Sequence, residues 1–82
     1  MTPQAVAEPA LPGLQGRLDR IDLEIIALVR QRILIAHEVR QARLDAGETG
    51  YAHEEELAVA RRFSQLGPHG AELAAILLRR SR

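Results

Sequence analysis

The feature that most constrains the fold is a regular apolar stripe between residues 14 and 44. Its members recur at alternating steps of four and three residues: Leu14, Leu18, Ile21, Ile25, Leu28, Arg32, Ile35, Val39 and Ala42. This spacing places them on one face of an α-helix, so the sequence predicts one long amphipathic helix. The one charged member is Arg32, and a guanidinium on a buried face is costly unless an anion meets it. Arg32 is therefore the first candidate functional residue.

The predicted helix is long for the chain that contains it. Residues 14–44 span about 46 Å at about 1.5 Å per residue. A compact chain of 82 residues has a radius of gyration of only about 12 Å. Part of the stripe would therefore stay uncovered within one chain. We expect a second copy of the chain to cover it, which predicts an intertwined homodimer.

The rest of the chain divides into a tail and two shorter helices. Residues 1–13 contain three prolines and are predicted to form a disordered tail, which leaves residues 14–82 as one helical domain. The first helix should stop at Gly47, and the shorter helices should cover residues 52–66 and 71–80. The predicted fold class is all-α, a three-helix chain with one very long first helix.

Composition argues against several classes of function. The 11 basic and 11 acidic residues give a formal net charge of zero, which disfavours a protein that binds nucleic acid through bulk charge. There is no cysteine, so we expect no disulfide and no thiol nucleophile. The three histidines lack the spacing of a metal site. No apolar run approaches a membrane span, and the amino terminus does not resemble a secretion signal. We therefore expect a cytoplasmic protein with no metal, nucleic-acid or membrane partner.

The second predicted helix repeats the pattern of the first. Its stripe is Ala52, Glu56, Val59, Phe63 and Leu66, and again one member is charged. Arg32 and Glu56, on different helices, would line a polar pocket if both face the interior of a helical bundle. They would instead form a buried ion pair if their role is purely structural. The spacing alone does not separate these two interpretations.

Two segments carry a resemblance to a known family. The first helix contains an IDxxIIxLVxxR pattern followed by VxxAR, within RLDRIDLEIIALVRQRILIAHEVRQAR at residues 17–43. After a glycine loop comes HEEELAVARRFSQLGP at residues 53–68, with an LGP turn. Together they resemble the AroQ-type, all-helical chorismate mutases, above all the short actinobacterial branch. The resemblance implies an intertwined dimer whose two sites convert chorismate to prephenate by a pericyclic rearrangement, with no cofactor and no metal.

The resemblance also implies roles for three residues. The family's carboxylate-binding arginine falls on Arg32, its cationic donor to the breaking ether oxygen on Arg43, and the glutamate that orients the substrate's ring hydroxyl on Glu56. Arg43 follows Arg32 by eleven residues, about three helical turns, so both side chains leave nearly one face. The family's substrate is a flexible dianion that must be held in a compact conformer. Negative charge grows on its ether oxygen and needs a fixed cation.

Some site positions depart from the family pattern. Gln15 stands where the family has an arginine that reaches into the partner's site, and Glu55 stands where it has an arginine before the glutamate. Ala52, three positions before Glu55, falls on a further substrate-binding position. Each lost charge-assisted contact is worth about 1.5–3 kcal/mol, so binding of a dianion should be weaker.

Three interpretations of these departures stay open. The chain is a weak chorismate mutase helped by a partner, as the small actinobacterial mutases are activated by DAHP synthase. Alternatively, its substrate is 4-amino-4-deoxychorismate, whose ammonium group would suit Glu55 and Glu56. In the third interpretation catalysis is lost, and a non-catalytic helical dimer binds and regulates another shikimate-pathway enzyme such as DAHP synthase. We expect a mutase acting on one of the two substrates and keep the non-catalytic dimer as the alternative.

Overall fold

The computed structural model describes residues 3–49 and 53–81, which form three α-helices. These are α1 (Pro3–Asp45), α2 (His53–Phe63) and α3 (Gly70–Arg80), and one 3₁₀ turn (Ser64–Leu66) follows α2. No strand occurs within these residues. None of the helices in this part of the chain combines the length and apolar character of a membrane span. The all-α class and the very long first helix are confirmed.

The first helix begins earlier than predicted. It starts at Pro3, eleven residues before the predicted first residue, Leu14. Proline suits a first helical turn because the N–H that it lacks would have no intrahelical partner there. Three alanines among residues 3–13 also favour helix, and Ala7 and Leu11 continue the four-and-three spacing of the stripe toward the amino terminus. The helix start is therefore corrected to Pro3, whereas the division into a tail (1–13) and a helical domain (14–82) stays a prediction.

Two glycines with positive φ follow the helices as predicted. Gly47 (φ 82°) comes after α1, and Gly67 (φ 92°) comes after the 3₁₀ turn. The N–H of Gly47 donates to the carbonyl of Leu44 at 3.0 Å, and the N–H of Gly67 donates to the carbonyl of Ser64 at 3.0 Å. Glycine adopts positive φ without a Cβ penalty, so both residues allow the chain to leave the helix.

α2 and α3 meet through a close backbone approach at Gly70. This residue is buried, and a Cβ placed on it would overlap the backbone carbonyl of Phe63. Only glycine therefore lets α3 begin directly against the end of α2. One and two turns further on, Ala74 and Leu77 are the buried apolar residues of the described chain, 1% and 4% exposed.

A hydrogen bond joins the end of α3 to α1. The Nε2 atom of His37 lies 3.3 Å from the backbone carbonyl of Arg80. Nearby, the Ser81 hydroxyl donates to the carbonyl of Leu77 at 2.7 Å, within the last turn of α3. The His37 contact holds the carboxyl end of α3 beside the second half of α1, whereas the Ser81 hydrogen bond stabilises the end of α3 itself.

Most of the apolar stripe of α1 stays uncovered in a single chain. The radius of gyration is 19.0 Å and the longest dimension is 68 Å, whereas a compact chain of this length would have a radius of gyration of about 12 Å. The stripe residues that are between 42% and 62% exposed are Leu14, Leu18, Ile21, Ile25, Leu28, Ile35 and Val39. A contiguous apolar face of this kind marks an interaction surface. The predicted second copy of the chain would cover it.

Candidate active site

A cleft of about 510 Å³ lies between α1 and the two shorter helices. Its apolar lining comes mainly from Leu28, Ile35, Ala36, Val39, Val59 and Leu78. Its charged lining consists of Arg32, Arg40 and Arg43 from α1 with Glu55 and Glu56 from α2. A cleft of this volume, largely apolar with a few converging charges, has the character of a small-molecule site.

The long helix brings Arg32 and Arg43 to the same cleft. Both side chains are half-buried, and their separation along the helix axis is about 16 Å. Both residues line the cleft, which Glu55, Glu56 and Val59 of α2 border as well. Because a guanidinium keeps its charge in an apolar setting, two half-buried arginines in one cleft favour an anionic ligand.

An ion pair joins the two sides of the cleft. Nη2 of Arg43 contacts Oε2 of Glu55, and the side chains are 23% and 61% exposed. A pair with this much exposure contributes at most about 1 kcal/mol. An anion that binds Arg43 more strongly would therefore displace Glu55. This pair was not predicted. Glu55 is the acid that departs from the family pattern, and Arg43 is the cation that the resemblance places at the ether oxygen.

Glu56 reaches the cleft from the first turn of α2. It is half-buried, and it follows Glu54 and Glu55 in that turn. Acids at this end of a helix complement the positive end of the helix dipole. Glu56 is the half-buried member of the three, because both of its acidic neighbours are exposed. The structure thus places Arg32, Arg43, Glu55 and Glu56 around one cavity.

Two of the predicted site residues are not brought to this cleft by the described chain. Gln15 is exposed on α1 and does not line the cleft; it precedes Arg32 by about 25 Å along the helix axis. Ala52 lies outside the described residues. A role for Gln15 requires a second chain, as the resemblance implied, so both assignments stay predictions.

Three further polar residues line the cleft and were not predicted. They are Gln31, Arg40 and Ser81. Arg40 lies beside the four-and-three stripe and not within it, so a search for charged members of the stripe passes over it. One signal was available: Arg40 precedes Arg43 by three residues, and side chains at that spacing are neighbours on a helix surface.

Comparison with known proteins identifies the class to which this fold and cleft belong. The family model described as chorismate mutase type II matches residues 14–80. The match covers most of the 82 residues. The chain belongs to the type II chorismate mutase family, as the resemblance predicted.

Particular relatives agree with this assignment. The intracellular chorismate mutase of Mycobacterium tuberculosis (strain ATCC 25618 / H37Rv) is 40% identical over 74 residues, which cover 90% of this chain and 70% of that protein. The intracellular chorismate mutase of Mycolicibacterium smegmatis is 35% identical over 77 residues, which cover 93% of this chain and 74% of that protein. Among solved structures, one chain matches with a TM-score of 0.83 and 29% identity, over 94% of both chains. That structure is a non-covalent complex of DAHP synthase and chorismate mutase from Corynebacterium glutamicum with a bound transition state analog.

Proposed function

We propose that the protein catalyses the pericyclic rearrangement of chorismate to prephenate in the cleft described above. The observation that carries the proposal is the convergence of Arg32, Arg43 and Glu56 on one cavity. Arg32 and Glu56 are the charged members of two apolar stripes, and Arg43 matches the family's cationic donor to the ether oxygen. Membership of the type II chorismate mutase family and the names of the relatives support the reaction type.

Each of the three side chains supplies one requirement of the rearrangement. Arg32 binds a substrate carboxylate and so restrains the flexible dianion, which lowers the entropic part of the barrier. Arg43 donates to the ether oxygen, where negative charge grows as the carbon–oxygen bond breaks. Glu56 accepts a hydrogen bond from the ring hydroxyl. The aliphatic walls strengthen these contacts because they lower the local dielectric constant.

Glu55 makes the proposed site a weak one for chorismate. Glu55 neutralises Arg43, so the substrate has to replace one anion with another at Arg43. This competition supports the interpretation of a slow mutase that a partner protein improves. We propose DAHP synthase as that partner, because a similar chain occurs in a complex with DAHP synthase.

A second candidate substrate is 4-amino-4-deoxychorismate. Two carboxylates, Glu55 and Glu56, line the cleft from adjacent positions of α2. An ammonium group on the substrate ring would meet Glu56 and draw Glu55 away from Arg43. The overall charge of this substrate is also lower, which suits a site with fewer arginines than the family pattern.

We propose an intertwined homodimer in the cytoplasm as the working unit. The uncovered stripe of α1 requires a covering surface, and a second copy presents an identical stripe of matching length. Gln15 of that copy would then approach the cleft that its own chain does not reach. The alternative, a non-catalytic dimer that regulates DAHP synthase, gains support from the neutralised Arg43.

The test is kinetics with both substrates on one preparation, alone and with DAHP synthase. Loss of substrate is followed by ultraviolet absorbance, and the product is identified by chromatography. We expect turnover of at least one substrate. Absence of turnover of both, with and without DAHP synthase, contradicts the proposal and leaves the non-catalytic dimer.

The site assignment is tested by Arg32→Ala. Removal of a charge-assisted contact worth about 1.5–3 kcal/mol should lower kcat/KM by about 10- to 150-fold. Arg30→Ala is the matched control, because Arg30 is exposed on the same helix and does not line the cleft. Turnover that survives Arg32→Ala at the level of this control contradicts the assignment.

A further inference from the structure

Arg40 is a third cation on the wall of the cleft, besides Arg32 and Arg43. It lies between them on α1, about 12 Å along the axis from Arg32 and about 4.5 Å from Arg43. It also borders a neighbouring pocket of about 260 Å³, which it shares with His37, Gln41 and Leu44. Its side chain is exposed, so its guanidinium is accessible from the cleft mouth.

The helix itself provides no anion for Arg40. The residues one turn before and after it are Ala36, His37, Arg43 and Leu44. None of these is acidic, and like charges at the spacing of Arg40 and Arg43 destabilise a helix. The ion pairs between described side chains are Arg43–Glu55 and His69–Glu72, and Arg40 belongs to neither. Glu55 pairs with Arg43 and not with Arg40, so the charge of Arg40 is available to an external anion.

The charge of the cleft lining also depends on Arg40. Three arginines and two glutamates line the cavity, so their formal net charge is positive by one. Loss of any one of the three arginines would bring this formal charge to zero and weaken the attraction of the cleft for a dianion. Arg40 therefore contributes as much to the positive charge of the lining as Arg32 or Arg43 does.

The proposed substrate presents one more anionic group than the predicted site can meet. Chorismate has two carboxylates and an ether oxygen that gains negative charge. Arg32 accounts for one carboxylate and Arg43 for the ether oxygen. The two positions at which the family pattern has further arginines hold Gln15 and Glu55 here. Resting on the proposed function, we infer that Arg40 binds the second carboxylate of the substrate and thereby restores a contact that this chain lacks elsewhere.

The experiment compares Arg40→Ala and Arg40→Lys with the control Arg30→Ala. Kinetics with chorismate should show that Arg40→Ala raises KM by about 10- to 100-fold with a smaller change in kcat. Arg40→Lys should recover part of this loss, because it keeps the charge but not the two-pronged geometry of a guanidinium. Arg30→Ala should resemble the wild-type protein. Circular dichroism and light scattering establish that all variants keep the fold and the oligomeric state.

A binding measurement separates a carboxylate contact from a general effect of charge. The probes are a bicyclic dicarboxylate that mimics the transition state and two analogues, each with a different carboxylate replaced by a neutral hydroxymethyl group. Calorimetry should show that Arg40→Ala lowers the affinity for the dicarboxylate by about 10- to 100-fold. One of the two monocarboxylates should bind the wild-type protein and Arg40→Ala alike, because it lacks the group that Arg40 contacts.

Two outcomes overturn the inference. If Arg40→Ala keeps KM and dicarboxylate affinity within about twofold of the control, Arg40 is a solvated surface residue. If Arg40→Ala lowers the affinity for all three probes equally, Arg40 does not act through a contact with one carboxylate. Failure of the wild-type protein to turn over either substrate refutes the proposed function separately, since the binding comparison does not depend on turnover.

Discussion

At the scale of single residues, the pairing of Arg43 with Glu55 has the largest consequence for chemistry. A cation that stabilises a transition state is most effective when it is oriented before the substrate arrives. Here the same contact that orients Arg43 also neutralises it. If Arg43 has the proposed role, Glu55 on α2 would influence both the affinity for substrate and the orientation of Arg43.

Glu55→Gln should change kcat/KM for the two candidate substrates in opposite directions. Loss of a pair worth at most about 1 kcal/mol should raise kcat/KM for chorismate by up to about fivefold, because the substrate no longer competes with a carboxylate. For 4-amino-4-deoxychorismate the same change should lower kcat/KM, because the ammonium group loses an anion. Steady-state kinetics with both substrates measures the difference.

Glu54→Gln is the matched control for this measurement. Glu54 is an exposed acid in the same first turn and does not line the cleft. It removes the same charge from the helix terminus without touching Arg43. A fall in kcat/KM for chorismate in Glu55→Gln, relative to this control, would contradict the proposed competition.

The residues that the sequence predicts best are those that interrupt a pattern. Arg32 and Glu56 are charged residues in apolar stripes, where a charge requires a partner or a ligand, and both line the cleft. The Arg43–Glu55 contact was not predictable in this way, because it depends on where α2 lies relative to α1. Periodicity describes the faces of one helix but not the distance between side chains on two.

At the scale of elements, Gly70 determines how α2 and α3 fit together. Leu78 and Ser81 reach the cleft from the far end of α3. Their position therefore follows from the close approach at the start of that helix.

The sequence predicted the ends of the helices well because Gly47 and Gly67 are chemically suited to positive φ. It did not predict the start of α1, because the prediction of a tail rested on Pro3, Pro9 and Pro12, and the last two lie inside the helix, where a proline usually breaks it.

Gly70→Ala should destabilise the protein by about 1–3 kcal/mol, the usual cost of an overpacked contact. The new methyl group would overlap the carbonyl of Phe63, so α3 must shift and the cleft lining must shift with it. Chemical denaturation measures the loss of stability, and kcat/KM reports the change in the cleft.

Gly16→Ala is the corresponding control within α1. Nothing lies near a Cβ placed on Gly16, so alanine should leave stability unchanged or raise it by about 0.5–1 kcal/mol. If the two variants unfold at the same denaturant concentration, the approach of α3 to α2 is not as close as described.

At the scale of the whole molecule, the long apolar stripe predicts association. Ile25→Glu places a charge in the middle of this stripe, where the side chain is 52% exposed in one chain. If a second copy covers the stripe, the buried charge should abolish the dimer and reduce helix content. Light scattering after size exclusion measures the mass, and circular dichroism measures the helix.

Leu34→Gln is the control, because Leu34 is also exposed, at 65%, but lies outside the stripe. It should keep the mass of a dimer. A wild-type protein with the mass of one chain would contradict the intertwined dimer, and so would an equal effect of both substitutions.

If the working unit is a dimer, the small number of residues buried within one chain makes the formation of the site depend on the concentration of the chain. Ala74 and Leu77 form the buried apolar core of the described residues, so most of the folding free energy of a dimer would arise between copies. Each tenfold dilution would then lower the free energy of unfolding by about 1.4 kcal/mol. Below the dissociation constant, catalytic rate would fall with the square of the chain concentration. A higher concentration of the chain would thus raise activity in two ways, because it increases both the number of molecules and the fraction of them that is folded.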